Sequence, residues 1–303
     1  LELKILPGSL IVIGGGYIGC ELAQMFSRAG VEVTVVCRSR LLPGAEPEIG
    51  EALTGYLRDE GISVRRGLSY KEIRRTGKGI ALEADDGGEQ TVIEAEQVLI
   101  TTGRRPNTDR LGLKEAGVAL LANGGIKVDD RMRTTRMGVY AAGDVTGRDM
   151  FVYMAAYGAK VAAANAVNGD AMRYDNRAMP WVVFTDPQVA GVGLSEAAAR
   201  KRGIEVKTSV LALENVPRAL AARDTRGLIK LVADANSNKL IGAQIMAPEG
   251  AESIQTAVLA IKCEMTVGEL GQTIFPYLTT VEGLKLAALT FDKDVSKLSC
   301  CAG

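Results

Sequence analysis

Apolar residues cluster along this chain in two different periods, and the switch between them outlines its organisation. Leu10 to Ile13 is a short β-branched run, read as a buried strand from Ser9. From Cys20 to Ala29 the apolar positions Leu22, Ala23, Met25 and Phe26 recur at helical spacing, and Gly30 stops the helix. Val31 to Val36 reads as the next buried strand and Pro47 to Asp59 as a helix. From Ile62 to Val92, alternating segments joined by Gly-rich turns such as Asp86-Gly87-Gly88 read as strands. Val98 to Ile100 is a further strand, leading into a crossover at Thr101 to Arg104, and Val139 to Asp144 is expected to be a strand ending in a carboxylate. A helix from Tyr153 to Val167 follows. Beyond Met179 short strands at 188–192, 206–211, 228–233 and 239–245 alternate with helices at 195–202, 251–263 and 281–290. The expected class is therefore α/β, with a Rossmann-like nucleotide-binding domain over residues 1–103, an intermediate segment over 104–175 and a C-terminal α+β domain over 176–303.

The first strand runs directly into Gly14-Gly15-Gly16-Tyr17-Ile18-Gly19, a G-x-G-x-x-G turn inside a βαβ unit. In that context each glycine has a distinct role. Gly14 permits the tight turn, Gly16 lets a pyrophosphate approach the backbone, and Gly19 lets the helix pack on the strand. The phosphates would lie at the helix N-terminus, where free N–H groups and the helix dipole favour anions. NAD sites usually place an acid at the end of the second strand, whereas this chain has Cys37-Arg38-Ser39-Arg40. Arg38 and Arg40 are cationic forks suited to a 2′-phosphate, so the expected nucleotide is NADPH. At the end of the later strand, Asp144 is placed either to bind a ribose or ribityl hydroxyl or to cap the approach to the next helix.

Composition narrows the chemistry. Lys+Arg and Asp+Glu both total 36, so charge gives no reason to expect a nucleic-acid partner. No apolar run is long enough for a membrane span. The chain contains no histidine, which excludes a Ser-His-Asp triad, a Cys-His pair and a histidine base among these residues. Its five cysteines, Cys20, Cys37, Cys263, Cys300 and Cys301, have no zinc-type spacing, and reduced thiols in a cytoplasm are expected. Cys20, Cys37 and Cys263 read as slow-reacting core thiols. Cys300 and Cys301 are adjacent and near the end of the chain. Neighbouring cysteines make a poor structural staple, but two thiolates that close on one ion suit a soft metal.

The glycine turn, Thr102-Gly103-Arg104-x-Pro106-Asn107 and Tyr140-Ala141-Ala142-Gly143-Asp144 together resemble the flavin-dependent pyridine-nucleotide disulfide oxidoreductases. Phe184 to Val189, Asn215 to Leu220, Phe275-Pro276-Tyr277-Leu278-Thr279 and the Ser299-Cys300-Cys301-Ala302-Gly303 ending are similar to the branch of that family that reduces mercury. The resemblance covers nearly the whole chain. It implies that NADPH reduces FAD, FAD reduces a dithiol, and Hg(II) bound there leaves as Hg(0). It implies that Gly103 and Asp144 belong to the FAD site, with Asp144 on the ribitol, and that the backbone of Val152 meets the flavin ring. Tyr17 and Glu21 match positions beside the nicotinamide in some relatives. Phe275 stands where disulfide-reducing relatives carry a histidine base, and Tyr277 would line the metal's path.

The resemblance further implies a homodimer in which Cys300 and Cys301 take Hg(II) from a thiol complex and pass it to the partner's inner dithiol. The family's N-terminal FAD segment and its C-x-x-x-x-C pair are not among these residues. The chain therefore reads as the C-terminal portion of a longer enzyme, with only the later part of the FAD-binding domain, and inactive alone. The alternatives are a lipoamide-dehydrogenase-like reductase, which Phe275 opposes, and a non-enzymatic soft-metal-binding module.

Overall fold

The computed structural model describes residues 3–295. The N-terminal sheet begins with β1 (Ser9–Ile13), which continues through the glycine turn into α1 (Tyr17–Arg28), β2 (Glu32–Cys37), α2 (Pro47–Asp59) and β3 (Ser63–Arg66). An antiparallel three-stranded sheet of β4 (Ser69–Thr76), β5 (Gly79–Asp86) and β6 (Glu89–Ala95) intervenes before β7 (Gln97–Ile100) returns beside β1. The parallel sheet has the order β3-β2-β1-β7, with Val12 opposite Val35 and Leu99. The strand β1 is apolar at successive positions because both of its faces are covered. Leu10 and Val12 face Ala23 and Phe26 of α1 and Ile49, Leu53 and Leu57 of α2, while Ile11 and Ile13 pack with Leu68 and Leu82.

A second region holds α3 (Val152–Asn168), and the C-terminal region holds β8 (Pro180–Val183), β9 (Gln188–Gly193), α4 (Glu196–Lys201), β10 (Val206–Ala212), α5 (Pro217–Ala222), β11 (Leu228–Asp234), β12 (Leu240–Ala247), α6 (Gly250–Lys262), α7 (Val267–Gln272) and α8 (Glu282–Leu289). Its five strands form an antiparallel sheet in the order β10-β11-β12-β9-β8. α6 and α8 bury Ile254, Ala257, Leu284 and Ala287 against Ile229, Leu231, Ala243 and Ile245.

The chain divides into two compact units: residues 103–177, and the N-terminal and C-terminal regions together. Those two regions share one core, since Val183, Val189 and Met246 join the cluster around Val12 and Val35. A buried charge cluster joins them further. Lys230 of β11, 2% exposed, contacts Glu46 at 3.0 Å, Glu48 at 2.8 Å and Glu196 at 3.0 Å. Burial alone would depress this ammonium, but its hydrogen bonds to the three carboxylates hold it above the usual lysine range.

Two expectations are corrected. Residues 139–144 do not form a strand: among the described residues they pair only through one bridge between Tyr140 and Arg133, and Asp144 opens a short 3-10 turn, Asp144–Thr146. A strand needs a partner strand along its length, whereas here the backbone bonds of Val139 and Ala141 go only to the turn at residues 132–136. Cys263 caps α6 and is exposed rather than a core thiol, whereas Cys20 and Cys37 are buried.

Candidate nucleotide-binding site

The glycine turn is built from close backbone approaches. Gly14 has φ +118°, and a side chain there would bring Cβ within 2.7 Å of the Thr101 carbonyl oxygen. Its N–H donates to the Val36 carbonyl at 2.9 Å, and the Thr101 hydroxyl donates to the Ile13 carbonyl at 3.0 Å. A Cβ on Gly19 would lie 2.0 Å from the Gly14 oxygen, so helix and turn touch with no room for a methyl group. Gly16 differs: a Cβ there meets nothing within 4 Å. The space above Gly16 is therefore an open cradle, and a side chain would fill it.

Gly16 is the extended N-cap of α1, with no capping side chain and no acid in the first turn. The first intrahelical bond runs from Cys20 N–H to the Gly16 carbonyl. A helix N-terminus turns the N–H groups of its first turn toward an anion. An open cradle at such a helix N-terminus fits the pyrophosphate of a dinucleotide.

One stripe of α1 fixes this helix on the C-terminal region. Tyr17 stacks on Trp181, with ring centroids 5.4 Å apart. Glu21 Oε1 accepts from Phe184 N–H at 2.8 Å. Gln24 accepts from Asp186 N–H at 2.7 Å and donates to the Asp186 carbonyl at 2.9 Å. Arg28 pairs with Asp186 at 2.8 Å and Glu60 at 2.7 Å. The spacing of these four residues places them on one helical face. Trp181 and Gln24 were not singled out from sequence, although Gln24's place on that stripe and Trp181's being the chain's one tryptophan were visible signals. Burial pushes the Tyr17 phenol up to about 12, so it remains protonated at neutral pH.

The two arginines after β2 have different surroundings. Arg38 is exposed and makes no hydrogen bond among the described residues. Arg40 points its guanidinium into the following loop, donating to the carbonyls of Leu42, Pro43, Ala45 and Glu46 at 2.6–3.4 Å. Its donors are occupied by the backbone, which leaves Arg38 as the cation beside the cradle's rim.

The unit of residues 103–177 carries another group of sequence-selected residues. Gly103, at its start, is exposed with φ +120°. Asp144 is exposed and pairs with Arg104 at 3.3 Å, and Arg104 also donates to the Met150 carbonyl. Val152, 85% exposed, is the first residue of α3, whose N-terminus has no capping side chain and no acid in its first turn. An exposed carboxylate beside an uncapped helix start fits the polyol and the electron-rich ring edge of a flavin.

Tyr277 follows half-buried Phe275 and Pro276 and is 58% exposed. Cys300 and Cys301 lie outside the described residues. Among the described residues no group of three or more His, Cys, Asp or Glu side chains is placed to hold a metal, and no helix is long and apolar enough to cross a membrane.

Residues 1–163 match the family described as pyridine nucleotide-disulphide oxidoreductase, and residues 179–288 match the dimerisation domain of the same family. The chain belongs to this family. It is 50% identical to a mercuric reductase of Bacillus cereus, with all of this chain and 48% of that protein covered. It is 47% identical to one from Staphylococcus aureus and 50% identical to one from Acidithiobacillus ferrooxidans, covering all of this chain and 56% and 54% of those proteins. The chain thus spans about half the length of the curated relatives it matches. Among solved structures, the flavoprotein disulfide reductase RclA of Escherichia coli, a Cu(II) complex, superposes with TM-score 0.84 at 28% identity, covering 95% of this chain and 65% of that one. LpdA of Mycobacterium tuberculosis superposes with TM-score 0.85 at 29% identity, covering 95% and 62%.

Proposed function

We propose that this chain supplies the NADPH-binding and dimer-forming part of a cytoplasmic flavoenzyme that reduces Hg(II) to Hg(0). The observation that carries this reading is the identity of 46–50% with mercuric reductases along the entire chain. Phe275 supports it as well, because a disulfide reductase must protonate a leaving thiol and this chain has no histidine to do so.

In this reading the α1 N-terminus and the Gly16 cradle hold the NADPH pyrophosphate, and Arg38 binds the 2′-phosphate. Tyr17 and Glu21, fixed on Trp181 and Phe184, set the height of the first turn beside the nicotinamide. Asp144 takes the FAD ribitol, Gly103 admits the cofactor at the start of its unit, and the Val152 N–H faces the flavin ring. FAD, when bound, would supply a two-electron carrier between NADPH and a dithiol. Cys300 and Cys301 exchange with a thiol complex of Hg(II), holding the ion as a bis-thiolate. Tyr277 lines the route inward. A homodimer formed through residues 179–288 brings each tail to the partner's site.

The test uses the full-length protein that carries this chain. Hg(II)-dependent NADPH oxidation with release of volatile mercury is the expected result. Replacing Cys300 and Cys301 together by Ala should impair turnover of thiol-bound Hg(II) and leave flavin reduction by NADPH unchanged. NADPH oxidation driven by a disulfide and indifferent to Hg(II) would overturn the proposal.

A further inference from the structure

The nucleotide turn rests on two thiols that the proposed reaction does not use. Cys20 comes from the first turns of α1 and Cys37 from the last position of β2, on the same face of the sheet. They are 0% and 4% exposed. Gly15 lies between them. The Cys20 thiol donates to the Gly15 carbonyl at 3.7 Å, and a Cβ on Gly15 would lie 3.1 Å from Cys37 Cβ. The same carbonyl accepts from Leu42 N–H at 2.7 Å, so Gly15 couples the turn, α1 and the β2–α2 loop. Neither thiol is in a disulfide. Burial, with the neighbouring Cys37 next in weight, pushes the Cys20 thiol up to about 12.

We propose that Cys20 and Cys37 form a second, buried dithiol beneath the nucleotide turn, one that captures a single soft cation such as Hg(II) when the turn opens and thereby disables nucleotide binding. The step is a ligand exchange with no change of oxidation state. Two Hg–S bonds of a low-molecular-weight thiol complex break and two form to Cys20 and Cys37, and the two protein S–H protons leave on the two released thiols. Two-coordinate thiolate ligation suits a soft d10 ion, and no third ligand is needed. The cost falls on the turn. Drawing both sulfurs onto one ion removes the Cys20 hydrogen bond to Gly15 and presses on a glycine that has no spare room on its Cys37 side. Because both thiols are protonated and shielded, capture is slow and waits on local opening. Bound NADPH holds the turn closed and opposes it. This inference rests on the proposed NADPH site at the turn but not on mercury reduction, since it needs no turnover, and the NADPH titration of the untreated protein tests that site separately.

The experiment uses the whole chain with Cys263, Cys300 and Cys301 replaced by Ala, so that Cys20 and Cys37 are the remaining thiols. It is incubated with Hg(II) as its bis-glutathione complex, with and without NADPH, then desalted. Native mass spectrometry reads the retained metal, and nucleotide fluorescence reads NADPH binding. The expected product is the chain plus one mercury less two protons, without glutathione. It should form slowly, be suppressed by NADPH, and bind NADPH at least about tenfold more weakly. Cys20→Ala or Cys37→Ala should each abolish retention. Cys20→Ser and Cys37→Ser give a second pair should the alanine variants fold poorly. No retained metal, a product still carrying glutathione, retention by either single variant, or retention with unchanged NADPH affinity would each overturn the proposal.

Discussion

Replacing Lys230 with Met should destabilise the fold far more than loss of a surface ion pair would. Lys230 and Glu46 are each 2% exposed, whereas Glu48 and Glu196 keep 41% and 29% exposure. The two open pairs contribute at most about 1 kcal/mol each. The Glu46 carboxylate, left buried without its cation, dominates, because breaking a buried pair from one side costs about 3–5 kcal/mol. For a chain of this size that corresponds to a fall in Tm of about 6–10 °C. Adding Glu46→Gln should restore part of the loss, since an amide oxygen can still accept from Glu196 N–H, now at 2.6 Å. The pH dependence follows from Glu196. Its hydrogen bond to Lys230 comes first, then that to Arg200, in holding its carboxyl below the ordinary value of 4.5. A depressed carboxyl adds stability that is present above the unfolded value and lost as pH falls through the folded one. The deficit of the Met variant should therefore be full at neutral pH and shrink once the medium drops below about pH 4.5. Thermal unfolding across pH 3–8 reads both effects. A deficit below about 1 kcal/mol at neutral pH, or one that does not change with acid, would refute a working ion cluster.

Gly16→Ala should leave Tm unchanged while weakening NADPH at least about tenfold, because its Cβ enters empty space that only a ligand would use; unchanged affinity by fluorescence titration would remove the cradle. Gly19→Ala, with Cβ 2.0 Å from the Gly14 oxygen, should cost both stability and binding. Arg38→Ala should weaken NADPH roughly 10- to 100-fold and spare NADH. Arg40→Ala should instead lower Tm with the ratio of the two affinities unchanged, since four loop carbonyls lose its guanidinium and those of Pro43 and Ala45 have no other donor among the described bonds. Gln24→Ala should cost about 1–3 kcal/mol in denaturant unfolding, because Asp186 N–H loses its acceptor while the Asp186 carbonyl keeps only the longer bond from Arg226 at 3.4 Å.

Local signals carried much of the fold. Ser9–Ile13 and Pro47–Asp59 form with the bounds read from sequence, the first from an unbroken apolar run and the second from a proline at its first position. α1 starts at Tyr17 rather than Cys20 because extended Gly16 serves as its N-cap. α7 was legible and missed: Thr266 and Glu269 form a capping box. β8 is four residues long and opens on Pro180, too short to stand out. Residues 139–144 look like a strand by composition, but a strand exists only with partners, which composition does not reveal. The site divides in the same way. The glycines show their roles in their spacing. Arg38 and Arg40 look alike in sequence, and only the loop geometry separates a free cation from one spent on carbonyls. Nothing local marks Lys230 as buried, since its three acids lie 34 to 184 residues away in sequence.

The nucleotide turn is shaped by residues that never touch a nucleotide. Its helix is held along Tyr17, Glu21, Gln24 and Arg28 by residues 181–186. That segment is held in turn by Arg226, which pairs with Asp186 at 2.9 Å and Asp224 at 2.8 Å. The Lys230 cluster separately ties the start of α2 to β11 and α4. A free Rossmann domain would need only its own helices to cover the sheet. Here Val183, Val189 and Met246 complete that cover, so the first turn of α1 cannot shift without moving the antiparallel sheet. The sheet belongs to the family's dimerisation domain. Contacts between subunits would therefore bear mechanically on the turn that receives the nucleotide, through side chains already in place within a single chain.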